Sequence, residues 1–475
     1  MMENYINGKF VLSHSDKTKE LINPVTEKFI ETMPQSNEQD VNEAIAGAKE
    51  AQKEWAKKTM AARSEIVKEL KPILEENKEE LAKIYVEEQG KTFKEAIGEI
   101  ERSIQYIDYM AGFAYHLESE VVPSEIDDEM IVFLKKPIGI VGGILPWNAP
   151  VFVLMRKLIP ALIAGCSVVI KPSNESPLNT LKIAEYTQRT SLPTGLFQVV
   201  VGSGSEVGNQ LSKHPDIDLI SITGSTGSGK AVMKAAAETV KKVNLELGGK
   251  APTIVTEHAD LQKAVRYIVQ ARIKNSGQVC TCPERVYVHE NVAEAFTKEL
   301  RASMEKLQVG DPYDEKTDYG SIINKEQLDH ISELVAGAEK EGAKILIGGN
   351  KIDRGKGYFF EPTIITNATQ DMEIMNEEIF GPVVPIMTYK TFDEVIDLAN
   401  DSVYGLSSYL FSENYREIMR GINEIRFGEV YVNCEAEEAI NGFHAGFRES
   451  GLGGADGRKG FEEFLQTTVA YLRYE

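Results

Sequence analysis

The sequence predicts an α/β protein with a doubly wound parallel-sheet domain, a second α/β domain and a small β-ribbon standing apart from both. Three observations lead there. Between Pro137 and Leu247 short apolar runs alternate with helical stretches, and the rhythm resumes after Gly249. Strands spaced by crossover helices lie parallel. Residues 119–136 break the rhythm, because Met130-Ile131-Val132-Phe133-Leu134 stands between charged flanks with no helix beside it. Length agrees, since 475 residues exceed the roughly 250–300 that one core serves.

The chain opens with short extended runs over 1–36, which include Asn7-Gly8, a hairpin dipeptide because both residues tolerate positive φ. From Asp40 the pattern turns helical. Val41, Ala44, Ile45 and Ala48 recur at three-and-four spacing behind an acidic cap, and charged helix formers run on to about Glu118. After the ribbon, strands are expected at 139–145, 167–170, 197–201, 219–222 and 243–247, with helices such as 177–190 and 231–240 between them. That half reads as a nucleotide-binding sheet. The second half has a strand at 253–255, then a helix capped by Asp260 with Leu261, Ala264, Val265 and Ile268 on one face, ending near Asn275-Ser276-Gly277. Further strands fall at 344–347, 383–387 and 429–432, and an extended stretch at 467–471 comes near the end.

Lys and Arg number 52 against 73 Asp and Glu, and the formal charge of −21 repels a phosphate backbone or an anionic lipid surface. Neither nucleic acid nor a membrane is an expected partner. The first residues lack the basic start, apolar run and cleavage site of a secretion signal. The longest apolar stretch, 151–170, is interrupted by Arg156, Lys157 and Pro160, which unfits it as a membrane span. Four cysteines, Cys166, Cys280, Cys282 and Cys434, make neither a disulfide framework nor a four-ligand zinc spacing. Reduced thiols in a cytoplasm and no resident metal are expected, with Cys166 and Cys434 read as buried.

Gly224-Ser225-Thr226-Gly227-Ser228-Gly229-Lys230 follows a strand and opens a helix, where backbone amides and the helix dipole can hold a phosphate. The spacing nearly satisfies a P-loop, yet Ala231 stands where magnesium needs a hydroxyl, which counts against a nucleotide hydrolase. A glycine turn that merely lets helix and strand pack closely is the other reading. Gly202–Gly208 misses the dinucleotide spacing by one residue and carries little weight.

Cys280 ends Asn275-Ser276-Gly277-Gln278-Val279-Cys280, a glycine-containing loop that can present a thiol, although a lone cysteine is more often a small buried hydrophobe. Two stretches raise it above that. Leu245-Glu246-Leu247-Gly248-Gly249-Lys250 places one carboxylate at the end of an apolar strand, and Pro146-Trp147-Asn148-Ala149-Pro150 ends another strand in a rigid turn. Strand ends are where such sheets bind ligands. A carboxylate in an apolar setting has its pKa raised and can act as a general base. An Asn amide can donate to a developing oxyanion, and a thiolate attacks a carbonyl.

These segments, in this order and together with Glu377-Glu378-Ile379-Phe380-Gly381-Pro382, resemble the aldehyde dehydrogenase superfamily over essentially the whole chain. The resemblance implies NAD(P)-dependent oxidation of an aldehyde to a carboxylic acid through a thiohemiacetal and a thioester on Cys280. Glu246 would be the base, and Asn148 with the Cys280 backbone amide the oxyanion hole. A dinucleotide-binding domain at 1–118 and 137–248, a catalytic domain at 249–445 and an oligomerisation element at 119–136 and 462–475 follow by likeness, and with them a homodimer or homotetramer.

For the cofactor, the resemblance suggests Lys171 at the adenosine ribose, Ser225 at the pyrophosphate and Glu378 at the nicotinamide ribose, with Phe380 beside that ring. Pro146, Trp147, Ser173, Asn174, Gly224, Gly229 and Leu247 would complete that site. Asn174, followed by Glu175, stands where NAD-preferring members commonly carry Glu. An uncharged Asn does not repel a 2′-phosphate, so NADP is expected beside NAD.

A narrower likeness lies in Asn441-Gly442-Phe443-His444-Ala445-Gly446-Phe447-Arg448 and residues 450–457, which resemble the lactaldehyde and glycolaldehyde dehydrogenase branch. Arg156, His444 and Thr281 are then expected at a small hydroxyaldehyde substrate. The alternatives are an enzyme for unsubstituted aldehydes, with Arg156 merely paired to an acidic neighbour and His444 a satisfied loop histidine, or a coenzyme A-acylating relative, which Glu246 disfavours. Cys282 lies beyond the position that the family motif fixes.

Overall fold

Two large sheets carry the molecule in the computed structural model, which describes residues 1–474; Glu475, the end of the expected 462–475 element, lies outside them. The first sheet has eight strands. Their spatial order is Gly451–Leu452, Lys242–Leu247, Leu219–Gly224, Ile140–Ile144, Ser167–Lys171, Phe197–Val199, Asn4–Ile6 and Lys9–Val11. The five strands from Lys242–Leu247 to Phe197–Val199 are parallel and fall where the alternation expected them. Helices cover both faces, so Ile140–Ile144 and Ser167–Lys171 are buried at every position and read as continuous apolar runs.

The order of these strands locates a ligand crevice. From Ile140–Ile144 the chain builds outward through Ser167–Lys171 and Phe197–Val199, then returns to place Leu219–Gly224 on the other flank. That reversal opens a gap beyond the carboxyl ends of Ile140–Ile144 and Leu219–Gly224, the usual binding position in such sheets. Pro146-Trp147-Asn148 and Gly224-Ser225 lie at those two ends.

The second sheet has seven strands in the order Lys344–Ile347, Thr363–Thr366, Val383–Tyr389, Pro283–His289, Ala251–Val255, Ser407–Phe411 and Glu429–Val432, parallel except at the first pair. A third, antiparallel sheet sets Leu465–Arg473 and Glu120–Pro123 on either side of Glu129–Pro137. Asn7 and Gly8, at φ 53° and 75°, make the opening hairpin between Asn4–Ile6 and Lys9–Val11.

Several boundaries differ from expectation for identifiable reasons. The first helix starts at Glu38, because Asn37 caps it while Asp40 answers from its third position as the other half of a capping box. The helix expected at 231–240 is Thr226–Ala236, because Ser225 accepts from the Ser228 amide and caps it early. Residues 204–208 form a π-helical turn. Gly451–Leu452 pairs with Leu245 and Glu246, so a late segment joins the first sheet, which no local pattern announced. Cys166 is buried, but Cys434 is exposed, against expectation, because it follows the end of the edge strand Glu429–Val432. The apolar stretch 151–170 divides into the buried helix Pro150–Ala164 and the strand Ser167–Lys171. Among the described residues no helix is long and apolar enough to cross a membrane.

Candidate active site

The loop that carries Cys280 is held in a conformation that few residues adopt. Asn275, Ser276 and Gly277 have successive φ of 50°, 58° and 77°, a left-handed run that persists only where the surroundings enforce it. Those surroundings are dense. Asn275 accepts at Oδ1 from Gln89 Nε2 (2.6 Å) and donates from Nδ2 to the carbonyls of Asn148 and Gln278 (both 3.2 Å). Gln278 donates to Asn275 O (2.9 Å) and accepts from the Ile323 amide (2.9 Å). A Cβ on Gly277 would stand 2.3 Å from Gly381 O, so only glycine fits. Beyond the loop, Tyr409 Oη and Ser407 Oγ both donate to Thr281 O (2.6 and 3.3 Å) and fix the chain just after Cys280.

Cys280 faces a cavity of about 230 Å³ whose wall also includes Asn148, Thr223, Glu246, Glu378, Phe380 and His444. The expected nucleophile, base and oxyanion donor therefore share one space, reached from two strand ends and the Cys280 loop. Asn148 Nδ2 donates to Gln278 O (3.0 Å) beside the thiol. Burial pushes the Cys280 thiol up, against a hydrogen bond from His444.

Glu246 departs from the expectation of a raised pKa. Its carboxylate is buried, which pushes the pKa up, but Lys157, Arg156, His444 and the Thr223 hydroxyl outweigh burial and hold it at about 2. Lys157 Nζ lies 3.2 Å from Glu246 Oε2 and 2.9 Å from Ser221 Oγ, and Thr223 Oγ1 donates to the same Oε2. Burial lowers the Lys157 pKa, because that ammonium has one carboxylate to offset its desolvation where Glu246 has several cations. Glu246 Oε1 meets no donor among the described residues.

On the far side of the thiol, His444 is buried, with Nδ1 3.3 Å from Glu429 Oε2. Burial works against its imidazolium, yet Glu438, Cys280 and Glu429 outweigh it and hold the ring's pKa well above the usual value. Glu438 accepts from Thr281 Oγ1 (3.3 Å) and Arg156 Nη2 (2.7 Å), and His444 and Arg156 hold its carboxyl well below the ordinary range despite burial. Arg156 donates from Nε to Asp456 Oδ1 (3.0 Å) and from Nη2 to Asp456 Oδ2, and its guanidinium stacks 4.5 Å over Phe152. It does not line the cavity.

A larger cavity of about 650 Å³ adjoins the first, sharing Pro146, Trp147, Thr223, Gly224 and Ser225 on its wall. Lys171 and Ser173 line its far end, and Gly204, Ser205 and Gly208 line it too, the segment to which spacing alone gave little weight. Burial, with Lys19 nearby, lowers the Lys171 pKa to about 8. Asn174 Oδ1 is buried and meets no donor among the described residues, and Glu175 is drawn 2.7 Å from Lys19 Nζ.

The family model for the aldehyde dehydrogenase family matches residues 10–470. This chain belongs to that family. It is 42% identical over 471 residues to lactaldehyde dehydrogenase of Escherichia coli (strain K12), covering 99% of this chain and 98% of that enzyme. It is 38% identical over 477 residues to D-glyceraldehyde dehydrogenase (NADP(+)) of Picrophilus torridus, covering 100% and 96%. The crystal structure of the E. coli lactaldehyde dehydrogenase superposes with a TM-score of 0.98 at 41% identity, covering 100% of this chain and 99% of that one. The protein is an NAD(P)-dependent aldehyde dehydrogenase, with a Rossmann-type dinucleotide-binding domain, a catalytic domain and an oligomerisation sheet.

The donors of this aldehyde dehydrogenase fit a dinucleotide. Ser225 caps an eleven-residue helix that points its free amides at the larger cavity. Glu378, on the wall of the smaller cavity, accepts from the Gly249 amide (2.8 Å), and burial with Glu284 nearby lifts its pKa to about 8. Phe380 stands edge-on to Trp147 with centroids 5.4 Å apart. Leu247 lines the smaller cavity. Gly229 and Asn174, both expected at the cofactor, are not on the wall of either cavity, and a Cβ on Gly229 would stand 2.5 Å from Leu247, so helix packs closely on strand there.

Lys157, Thr223, Glu429 and Glu438 were not foreseen from the sequence. Of these only Thr223 carried a signal, as the last strand residue before Gly224.

Proposed function

We propose that this dehydrogenase oxidises a small hydroxyaldehyde, lactaldehyde or glycolaldehyde, to the carboxylic acid by covalent catalysis at Cys280. The observation that carries this reading is the single cavity shared by Cys280, Glu246, Asn148 and His444 and opening onto the larger one. Cys280 Sγ adds to the aldehyde carbonyl, and Asn148 Nδ2 with the Cys280 backbone amide donates to the oxyanion, each donor contributing about 3–4 kcal/mol. Bound in the larger cavity, a nicotinamide cofactor supplies the hydride acceptor. Glu246, ionised at neutral pH, takes a proton from the water that hydrolyses the thioester, and its unpartnered Oε1 is the atom left for that water. Lys171, Ser173, Asn174, Ser225 and Glu378 hold and orient the dinucleotide.

The polar side of the cavity supports the hydroxylated substrate. His444 on the cavity wall offers a donor to a substrate hydroxyl, with Glu438 and Thr281 behind it rather than on the wall, and the name of the E. coli relative points the same way. Arg156 acts here as a positioning residue, since it clamps Glu438 from outside the cavity. Replacing Arg156 with Met is expected to lower kcat/KM for lactaldehyde about tenfold relative to propanal, the effect of losing roughly one well-made buried hydrogen bond. It also leaves Asp456 without its cation, so Tm falls. An unchanged lactaldehyde-to-propanal ratio in folded variant would overturn the role and favour an enzyme for unsubstituted aldehydes.

Either cofactor is expected to serve. An uncharged Asn174 puts no carboxylate at that position to repel a 2′-phosphate, Lys19 neutralises Glu175, and Lys171 attracts the phosphate. Comparing kcat/KM for NAD and NADP across hydroxylated and plain aldehydes tests both readings. A preference for NAD above about 1000-fold, roughly 4 kcal/mol, would rule out dual use.

The domain limits at 1–118 with 137–248, 249–445, and 119–136 with 462–475 belong to the same reading, as does a cytoplasmic enzyme acting as a homodimer or homotetramer. Both outer strands of the third sheet have free edges, and Val121, Tyr471 and Leu472 are exposed there. Sedimentation at equilibrium should return a dimer or tetramer mass, and a monomer would refute the assembly.

A further inference from the structure

Cys280, Glu438 and His444 bring three different metal-binding atoms together. One potential ligand atom from each, a thiol sulfur, a carboxylate oxygen and a ring nitrogen, lies within 4.8 Å of the other two. Tetrahedral zinc holds such atoms roughly 3.4–3.6 Å apart, so closure asks for about an ångström of side-chain movement. Rotation of the Cys280 side chain, which opens onto the cavity, can supply it while Glu438 stays on Arg156 and Thr281. The donor set is selective, because a thiolate with an imidazole suits zinc or cadmium and not magnesium or calcium.

A second feature is independent of the cluster. His444 Nδ1 lies 3.3 Å from Glu429 Oε2, and metal-bound imidazoles almost always carry a carboxylate on the other ring nitrogen, which fixes the tautomer and the ring plane. Thr281 Oγ1 and Arg156 Nη2 likewise hold Glu438 in orientation.

We infer that Cys280, His444 and Glu438 form a binding site for a soft divalent cation, zinc in the first place, which excludes the aldehyde when occupied. The thiol proton and the imidazolium proton pass to solvent as the ion binds, so two positive charges leave as two arrive. The net charge of the pocket is unchanged. Three protein ligands leave a fourth position for water, as in open zinc sites. Occupation of the site stands on this geometry alone, whereas loss of turnover rests on the reading of Cys280 as nucleophile.

The test treats the full-length enzyme with a chelator, then titrates Zn²⁺ by calorimetry and Cd²⁺ by the thiolate-to-cadmium charge-transfer absorption. One ion per chain is expected, with the band lost in Cys280→Ser and affinity reduced at least tenfold in His444→Gln. Glu429→Gln, which touches only the outer face of the ring, should weaken zinc roughly 10–100-fold. Zinc should inhibit in competition with aldehyde, and a chelator should restore turnover. A cadmium band that survives Cys280→Ser, or equal zinc affinity in the parent, His444→Gln and Glu429→Gln, overturns the site. Zinc that binds with the band intact yet leaves turnover untouched upholds the site and refutes Cys280 as nucleophile.

Discussion

Cys280→Ala is expected to lower kcat for aldehyde oxidation by at least about 10⁴-fold, the scale of losing a covalent nucleophile elsewhere, while Cys282→Ser keeps most of the parent rate. The two cysteines are two residues apart and in opposite situations. Cys280 opens onto the cavity beside Asn148 and His444. Cys282 is buried, with Sγ donating to Ala271 O at 3.0 Å and its thiol pushed up to about 12 by burial. No thiolate is available there at neutral pH, so Cys282 cannot substitute. Rapid mixing with aldehyde and cofactor should show a burst of reduced cofactor in the parent and in Cys282→Ser and none in Cys280→Ala. Matching melting curves keep a folding defect from imitating the result, and a folded Cys280→Ala with more than a hundredth of the parent rate would remove the nucleophile assignment.

What the sequence made legible was what depends on near neighbours. The five parallel strands announce themselves because burial on both faces demands continuous apolar runs, and the Cys280 loop because Gly277 admits no side chain beside Gly381 O. Ionisation at the site was not legible. Glu246 lies in an apolar strand, so local reasoning raises its pKa, and the lysine that lowers it stands 89 residues away on a helix whose charges read as interruptions of an apolar run. Arg156 meets Asp456 and Glu438 across 300 and 282 residues. Gly229 reads as a ligand residue from its glycine-rich setting alone, and the close approach of Leu247 that forbids a side chain there is equally out of local view. Pairings across the fold, more than the fold itself, separate the expected site from the one that forms.

Lys157→Met tests the most consequential of those pairings and is expected to move the acidic limb of the pH–rate profile upward. In the parent, Glu246 falls from an ordinary 4.5 to about 2, about 3 kcal/mol at roughly 1.4 kcal/mol for each tenfold change in proton affinity. A carboxylate depressed on folding contributes stability that is present above its unfolded pKa and lost as pH falls through its folded one. The contribution is therefore whole above about pH 5 and fades toward pH 2. With methionine at 157 the principal cation is gone and burial, which raises the pKa, meets less opposition. The ionised carboxylate then keeps the Thr223 hydroxyl and the more distant Arg156 and His444 but has lost its one direct ion pair, and removing one partner of a buried pair costs roughly 3–5 kcal/mol. Two results should appear together. The loss of Tm relative to the parent is largest near pH 7 and shrinks on acidification, since protonating Glu246 relieves the unpaired charge. Thioester hydrolysis, which needs Glu246 ionised, falls at pH 6 and recovers toward pH 9, whereas the burst of reduced cofactor does not follow that dependence. Equal loss of Tm at pH 4 and pH 7, with an unshifted acidic limb, would show that Lys157 supports packing rather than the charge of Glu246.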